Sequence, residues 1–180
     1  MPFSFEKMDI QEVILVKPTV YRDARGAFLE TYKQSDFKNN GIDCEFIQDN
    51  CSVSGARVLR GLHYQKGDCA QAKLVRCVSG CIYDFAVDIR PESPTFKQYV
   101  RVELSAENGN ALFIPRGFAH GFVVLSDTAV VTYKVDNEYN YEADAGVFWA
   151  DEDLDIDWGI GFEPILSDKD SNLPRLKEIF

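Results

Sequence analysis

The feature that most constrains the fold is a series of short apolar runs separated by turn residues. Between Cys81 and Ile89 every odd position is apolar or aromatic, whereas Asp84 and Asp88 stand at even positions. A period of two is typical of a strand with one face in a core. Similar runs occur at Val13–Val16, Lys73–Val78, Tyr99–Leu104, Ala111–Ile114, Gly121–Leu125 and Ala129–Val135. Many short strands with close turns predict an all-β sandwich or barrel.

Helical signals are few. The pattern predicts one short helix at Ser35–Asn40, with Ser35 as N-cap and Gly41 just past its end. A second is predicted at Pro174–Ile179, because proline is tolerated in a first helical turn. The 180 residues contain no internal repeat, low-complexity tract or linker. We therefore predict a single domain over residues 1–180.

Charge and cysteine content limit the possible functions. With 19 Lys and Arg against 29 Asp and Glu, the net charge is −10, which argues against a nucleic-acid binder but not against a small anion held by a few arginines. No apolar run approaches the roughly 20 residues that span a bilayer, and no secretory signal is recognisable in residues 1–9. The five cysteines show no Cys-x-x-Cys spacing, so we expect reduced thiols and a cytoplasmic protein.

Both histidines of the chain lie in glycine-containing segments that read as strand and turn. Arg60-Gly61-Leu62-His63-Tyr64-Gln65 precedes Lys73, and His120-Gly121 follows Pro115-Arg116-Gly117. Histidine is the usual general acid or base at neutral pH, although a lone histidine is more often a structural hydrogen-bonding residue. The neighbouring cationic side chains favour a functional role for His63.

The spacing from Gly109 to Gly121 resembles the second motif of cupin barrels, whose first motif normally supplies His-x-His and a glutamate as metal ligands. Here the first motif is His63-Tyr64-Gln65. Two histidines without a carboxylate at ligand spacing make a poor transition-metal site. We therefore predict chemistry without a metal, and we find no nucleotide-cofactor motif.

Other candidates are weaker when taken singly. Arg25, beside a glycine turn, suits a phosphate contact, but the pattern taken alone favours a hairpin turn with a solvated arginine. Gln48-Asp49-Asn50 suits a base or sugar edge, or a polar turn. Tyr133 lies in a predicted strand, where core packing is usual, and Asp170 lies near the C-terminus, where solvation is usual. The residues alone therefore predict a β-barrel or sandwich with a pocket lined by His, Arg and Lys.

Taken together, these segments resemble the dTDP-4-dehydrorhamnose 3,5-epimerase family of metal-free cupins. They occur in family order and cover nearly the whole chain: Asp23–Glu30, Gln48–Ser52, Leu59–Gln65, Lys73–Val75, Val87–Arg90, Ser93–Phe96, Ile114–Phe122 and Leu166–Asp170. The resemblance implies a cupin-type jelly-roll barrel with short peripheral helices. It also implies a homodimer in which N-terminal strands of one subunit contribute to the other's site.

The resemblance also implies roles by position. His63 matches the catalytic base, Asp170 its paired carboxylate and Tyr133 the acid on the opposite face. Lys73 matches a position near the carbonyl and is also implied to be catalytic, by stabilising the oxyanion at C4. The remaining positions match substrate contacts: His120 near the carbonyl, Arg25 and Arg60 at the diphosphate, Phe28 and Tyr139 at the thymine, and Glu30, Gln48, Asn50 and Lys169 elsewhere. Asp144 stands where a glutamate is usual, so we expect a nucleotide contact there to differ.

The implied activity is inversion of C3 and C5 of dTDP-4-keto-6-deoxyglucose, giving dTDP-4-keto-L-rhamnose, in dTDP-rhamnose and cell-surface polysaccharide biosynthesis. Both carbons are α to the C4 ketone, so acid–base groups suffice and no cofactor is implied. Two alternatives remain open. One is a related nucleotide-sugar 3-epimerase, 5-epimerase or ketoisomerase. The other is a non-catalytic cupin that only binds a nucleotide sugar.

Overall fold

Thirteen strands and two short helices make up the computed structural model, which describes residues 2–180. The strands are β1 Phe3–Lys7, β2 Ile14–Pro18, β3 Tyr21–Asp23, β4 Gly26–Phe28, β5 Gln48–Gly55, β6 Leu59–Gln65, β7 Lys73–Ser79, β8 Cys81–Asp88, β9 Tyr99–Ser105, β10 Ala111–Ile114, β11 Phe118–Val124, β12 Thr128–Val135 and β13 Asp144–Gly146. The helices are α1 Gln34–Asn39 and α2 Asp168–Ser171. Single 3₁₀ turns lie at Gly67–Cys69, Tyr141–Ala143 and Leu176–Glu178.

Two antiparallel sheets face one another around an apolar core. The larger has the order β1-β2-β10-β7-β12-β5 and the smaller β13-β6-β11-β8-β9, while β3 and β4 form a separate hairpin. Inward side chains from both sheets, such as Val75 on β7 and Phe122 on β11, belong to one buried cluster. The fold is the predicted all-β jelly roll of cupin type. The single domain over residues 1–180 stays a prediction.

Strand β8 is buried on both faces, which its alternation did not indicate. The odd residues Phe85 and Val87 pack outward against the C-terminal segment around Trp158. The even residues face the barrel interior, where Ile82 and Ala86 join the central cluster. Asp84 and Asp88 are therefore fully buried. The alternation identified the strand, but the C-terminal segment decides that neither face meets solvent.

Both predicted helices need correction. Helix α1 begins at Gln34, one residue early, with Lys33 as N-cap and no side-chain cap, so Ser35 lies within the helix. Its start is set instead by Phe37, which is fully buried and packs edge-on against Phe3. The predicted end is one residue late, since the helix ends at Asn39 with Asn40 as its C-cap, and Gly41 follows at φ +91. In the predicted Pro174–Ile179 helix only the Leu176–Glu178 3₁₀ turn forms.

Three segments near the functional residues were not predicted. Gln48–Asn50, for which the sequence favoured a polar turn, begins strand β5. Strand β13 pairs with β6 at the edge of the smaller sheet, and α2 begins at Asp168 with Ser167 as its N-cap. Within residues 2–180, no helix is long and apolar enough to cross a bilayer.

Candidate active site

A cavity of about 300 Å³ lies between the two sheets and brings together ten of the predicted site residues. They are Gln48, Asn50, Arg60, His63, Lys73, His120, Tyr133, Tyr139, Asp144 and Lys169. They come from six strands, from α2 and from the segment that precedes β13. The cavity therefore depends on the barrel as a whole rather than on one loop.

His63 and Asp170 form a hydrogen-bonded pair across 107 positions of sequence. His63 Nε2 lies 2.7 Å from Asp170 Oδ1, and the Gly61 N–H donates to Oδ2 at 3.2 Å. The Asp170 side chain is 4% exposed and that of His63 32% exposed, so Asp170 stands behind the ring. Burial raises the pKa of Asp170, but the hydrogen bonds from His63 and Gly61 outweigh it and lower this pKa overall. An ionised carboxylate thus orients an accessible imidazole.

Two glycines let β6 and β11 approach closely enough to set His63 opposite His120. A Cβ on Gly61 would lie 2.6 Å from the Gly121 Cα, and Gly61 has φ +128. The two histidines are register partners, and an irregularity follows between His120 and Phe122. The glycines beside both histidines are therefore required by backbone contact.

Lys73 is a buried cation at the inner end of the cavity. It is 8% exposed, and its Nζ donates to the His63 carbonyl oxygen at 3.4 Å. Burial lowers the pKa of Lys73 to about 8, although the carboxylates of Asp84 and Asp144 oppose the shift. An ammonium in this position is suited to stabilise negative charge on a bound molecule.

Tyr133 projects into the same cavity from β12. It is the register partner of Val75, two residues from Lys73 on β7, so both side chains lie on the inner face of the larger sheet. Its ring centroid is 6.4 Å from that of His120. Burial raises the pKa of Tyr133, against a smaller opposite effect of Arg60. The phenol is therefore protonated at neutral pH and can donate a proton.

Residue-based reasoning missed the partner of His120. His120 Nε2 lies 2.7 Å from Asp84 Oδ1, and both side chains are buried. The available signal was an aspartate at an even position of β8 between Ile82 and Ala86, where an unpaired carboxylate is costly. Ser52, Tyr64, Gln65, Gln71 and Phe122 also line the cavity and were not predicted as site residues.

The remaining polar residues form one wall of the cavity. Gln48 donates to Asn50 and accepts from the Tyr139 N–H, both at 2.9 Å. Asp144 accepts from the Tyr139 hydroxyl and pairs with Lys169. This connected wall presents amide, phenol and ammonium groups, which suits a sugar or base edge.

Arg60 is the cation at the β5 side of the cavity. Its Nε donates to Ser54 Oγ at 3.0 Å, and a terminal nitrogen donates to the Val53 carbonyl at 3.2 Å. These contacts use two of its five N–H donors. The three remaining N–H donors are available to bind an anion.

Arg25, Phe28 and Glu30 do not line this cavity. Arg25 lies in the turn between β3 and β4, where it pairs with Asp23 at 2.6 Å. Phe28 is 67% exposed at the end of β4, and Glu30 is also exposed. One chain therefore does not bring them to His63. Their implied role involves a second subunit and stays a prediction.

Gln65 occupies the position of the second histidine in the metal-binding cupin motif. It is buried, and its Oε1 accepts from the Asn140 N–H at 3.0 Å. Across residues 2–180, no three His, Cys, Asp or Glu side chains are grouped so that they could hold a metal ion. The metal-free chemistry inferred from sequence stays a prediction, which chelation tests.

Comparison with known proteins identifies the family. The family model for dTDP-4-dehydrorhamnose 3,5-epimerase matches residues 7–178. The chain is 49% identical over 174 residues to the dTDP-4-dehydrorhamnose 3,5-epimerase of Escherichia coli (strain K12), covering 96% of this chain and 94% of that one.

Solved structures similar to this chain belong to the same family. A dTDP-6-deoxy-D-glucose-3,5-epimerase from Legionella pneumophila Philadelphia 1, in complex with dTDP-4-keto-L-rhamnose, is 42% identical with a TM-score of 0.95, covering 99% of this chain and 95% of that one. A 3'-monoepimerase from Streptomyces bikiniensis, in complex with dTDP-quinovose, is 34% identical with a TM-score of 0.90, covering 96% and 87%. By sequence and by structure, the chain belongs to the dTDP-4-dehydrorhamnose 3,5-epimerase family.

Proposed function

We propose that this protein inverts C3 and C5 of dTDP-4-keto-6-deoxyglucose to give dTDP-4-keto-L-rhamnose. The observation that carries the proposal is the His63–Asp170 pair, 2.7 Å apart, at a cavity that Lys73 and Tyr133 also line. A base, a buried cation and a phenol are the groups needed to remove, stabilise and return a proton beside a ketone.

The proposed steps follow from the chemistry of the ketone. His63 takes the proton from C3 or C5, and the electron pair of the C–H bond moves into an enolate whose charge rests on O4. Lys73 stabilises that oxygen, while His120, whose Nε2 proton is held by Asp84, presents Nδ1 as an acceptor. Tyr133 gives its phenolic proton to the opposite face of the carbon, and the double bond returns to the C4 carbonyl. Solvent then restores the Tyr133 proton and removes the one on His63.

The substrate class rests on the relatives and on the polar wall of the cavity. The Legionella relative binds dTDP-4-keto-L-rhamnose, the product proposed for this chain. The Gln48, Asn50 and Tyr139 side chains offer hydrogen bonds and an aromatic surface. Asp144, one methylene shorter than glutamate, joins Tyr139 and Lys169 on this wall, so a nucleotide contact there differs from that of a relative with glutamate.

Incubation with dTDP-4-keto-6-deoxyglucose in D₂O, followed by NMR, tests the activity directly. We expect deuterium at both C3 and C5 and the signals of the doubly inverted sugar. Deuterium at neither carbon, with the nucleotide sugar still bound, would leave only a binding function.

A second candidate is inversion at one carbon, since a 3'-monoepimerase shares this fold with a TM-score of 0.90. The same NMR experiment separates the two functions. Inversion at C3 alone would favour the monoepimerase, inversion at C5 alone would indicate a 5-epimerase, and migration of the ketone would indicate a ketoisomerase.

We propose a homodimer in which the β3–β4 hairpin of each subunit reaches the other's cavity. Tyr21 and Phe28 on this hairpin are 55% and 67% exposed, which is unusual for aromatic side chains without a partner. Arg25 at its turn supplies a guanidinium that suits a diphosphate.

Replacing Arg25 or Arg60 by alanine is expected chiefly to raise KM for the dTDP-sugar, because contacts to a diphosphate lie away from the reacting carbons. Loss of one charge-assisted contact corresponds to roughly a 10-fold increase in KM. Steady-state kinetics measures the effect, with Arg57→Ala as an exposed control. Unchanged KM in both variants would contradict the assignment.

Activity is expected to survive exhaustive chelation, because Gln65 takes the place of a metal-binding histidine and is engaged by the Asn140 N–H. The measurement is the epimerisation rate after dialysis against EDTA, compared with the rate after adding back divalent ions. Loss of activity that one specific ion restores would overturn this prediction.

The pH profile is expected to show kcat falling as the pH rises through about 8, where Lys73 loses its proton. The same loss of the Lys73 proton should not lower the free energy of unfolding. The pKa of Lys73 in the folded protein lies below the ordinary lysine value of 10.5, so between these two values the unfolded chain binds more protons and this group's contribution to stability rises with pH. Measuring kcat and the melting temperature across pH 7–10 checks both the fall in activity and the rise in stability. A kcat that does not change with pH would remove Lys73 from the mechanism.

The five thiols are unpaired in the part of the chain that the structure describes, which supports a proposed cytoplasmic location. A role in dTDP-rhamnose and surface polysaccharide biosynthesis follows from the proposed reaction.

A further inference from the structure

Asp84 is a fully buried carboxylate in the interior of the barrel. Its strand neighbours on the same face, Ile82 and Ala86, belong to the central apolar cluster. Taking a carboxylate into such surroundings is strongly unfavourable unless opposite charge and hydrogen bonds compensate. An aspartate here therefore needs an explanation beyond packing.

The contacts of Asp84 lead to the cavity. Oδ1 lies 2.7 Å from His120 Nε2, while Oδ2 is buried and has no hydrogen-bond donor among residues 2–180. Because a carboxylate accepts, the contact places a proton on Nε2 of His120 and leaves Nδ1 as its other ring nitrogen. Lys73 feels the same negative charge, which opposes the loss of its proton.

Asp84 differs from the other buried aspartate of the cavity, Asp170. Asp170 accepts from two donors and orients His63, which is partly exposed. Asp84 has one donor, and the groups it influences are both buried. Each histidine that lines the cavity thus pairs with a buried aspartate. The more exposed pair, His63–Asp170, suits proton transfer, and the buried pair, His120–Asp84, suits keeping a fixed negative charge beside the cavity.

We propose that Asp84 is a positioning residue of the epimerisation site: its charge keeps Lys73 cationic where negative charge develops on the substrate, and its contact with Nε2 fixes the His120 ring in one tautomer. This inference rests on the function proposed above, because the charge it serves is that of the enolate oxygen. Asp84 itself transfers no proton.

Lys73 has other charged and titratable neighbours that bear on the test. Asp144 faces it from β13 and also opposes the loss of its proton. His63, His120 and Tyr133 line the same cavity from β6, β11 and β12. Asp144 is already paired with Lys169, which leaves Asp84 as the buried carboxylate whose removal changes Lys73 most.

The experiment compares Asp84→Asn with Asp88→Asn. Asparagine keeps the shape and removes the charge. Asp88 is the matched control, since it lies on the same strand and is equally buried, but its partners Arg90, Ser93 and Thr95 lie outside the cavity. Four quantities are measured in each protein: kcat, KM, the affinity for dTDP by calorimetry, and the Lys73 titration midpoint from ¹³Cε NMR, assigned with Lys73→Arg.

For Asp84→Asn we expect kcat at pH 7 to fall at least about 10-fold, with KM and the dTDP affinity within about twofold of the native values. The Lys73 midpoint should move below the native value of about 8, and the alkaline fall of kcat should move with it. Asp88→Asn should lower the melting temperature and leave kcat and the Lys73 midpoint in place.

The proposal is overturned if Asp84→Asn keeps the native kcat and Lys73 midpoint, or if Asp88→Asn changes both equally. If the asparagine variant does not fold, Asp84→Ser is measured in its place, since serine is also neutral and forms hydrogen bonds. The same fall in kcat and in the Lys73 midpoint is expected. The Lys73 titration needs no turnover. A native protein that fails to epimerise would therefore contradict the proposed function, whereas an unchanged Lys73 midpoint would contradict the role of Asp84.

Discussion

Replacing His63 with alanine is expected to lower kcat at least about 100-fold while the protein stays folded. The ring is the general base in the proposed mechanism, and it is held by Asp170 through a 2.7 Å contact at the edge of the cavity. Because the side chain is 32% exposed, its removal leaves little buried void. Deuterium exchange at C3 and C5, with circular dichroism and dTDP binding as fold controls, measures the effect.

Asp170→Asn separates orientation from proton abstraction. Asparagine retains an acceptor for the Gly61 N–H but removes the negative charge beside His63, so we expect a smaller loss of kcat than in His63→Ala. Near-native exchange at both carbons in a folded His63→Ala protein would show that another group is the base.

Tyr133→Phe is expected to keep solvent deuterium exchange but to lose most of the inversion, again by about 100-fold. Inversion needs a proton removed on one face and delivered on the other. His63 is tied to Asp170 and can return a proton only to the face from which it came. In the proposed mechanism the phenol of Tyr133, whose pKa burial raises above its usual value of about 10, is the donor for the opposite face.

The matched control is Tyr83→Phe, which removes one hydroxyl on the outer face of β8, where Tyr83 packs against the C-terminal segment. That variant should epimerise normally. Comparing deuterium incorporation with product stereochemistry in both variants isolates the hydroxyl from ring packing. A Tyr133→Phe protein that inverts both centres at the native rate would remove the tyrosine from the mechanism.

The two histidines of the cavity differ in how deeply they are buried, and this difference suits them to different roles. Burial lowers the pKa of His120, against the opposing effect of Asp84, so the imidazole stays neutral near pH 7 and serves better as an oriented hydrogen-bonding group than as a base. His63 is the more exposed of the two and can exchange protons with solvent between turnovers. This difference supports His63 as the base.

The strand pattern and the turns could be predicted from sequence because both are local. Apolar residues at every second position from Cys81 identified β8, and Gly41, two residues beyond the last helical residue, placed the end of α1 to within one residue. The candidate site residues came mostly from family resemblance, since residue spacing alone left Tyr133 as packing and Asp170 as solvated. In the structure Tyr133 lines the cavity, and Asp170 contacts His63.

Only the tertiary structure decided the charge relationships of the site. Asp84 meets His120 because β8 and β11 are neighbours in register, and Asp170 meets His63 because α2 packs behind β6. Likewise, Phe37 in the core rather than a Ser35 cap determines where α1 begins. A period of two reports which residues share a face, but burial of that face and the partner of each buried charge depend on segments dozens of residues away. Long-range packing sets these features, and no local pattern contains that information.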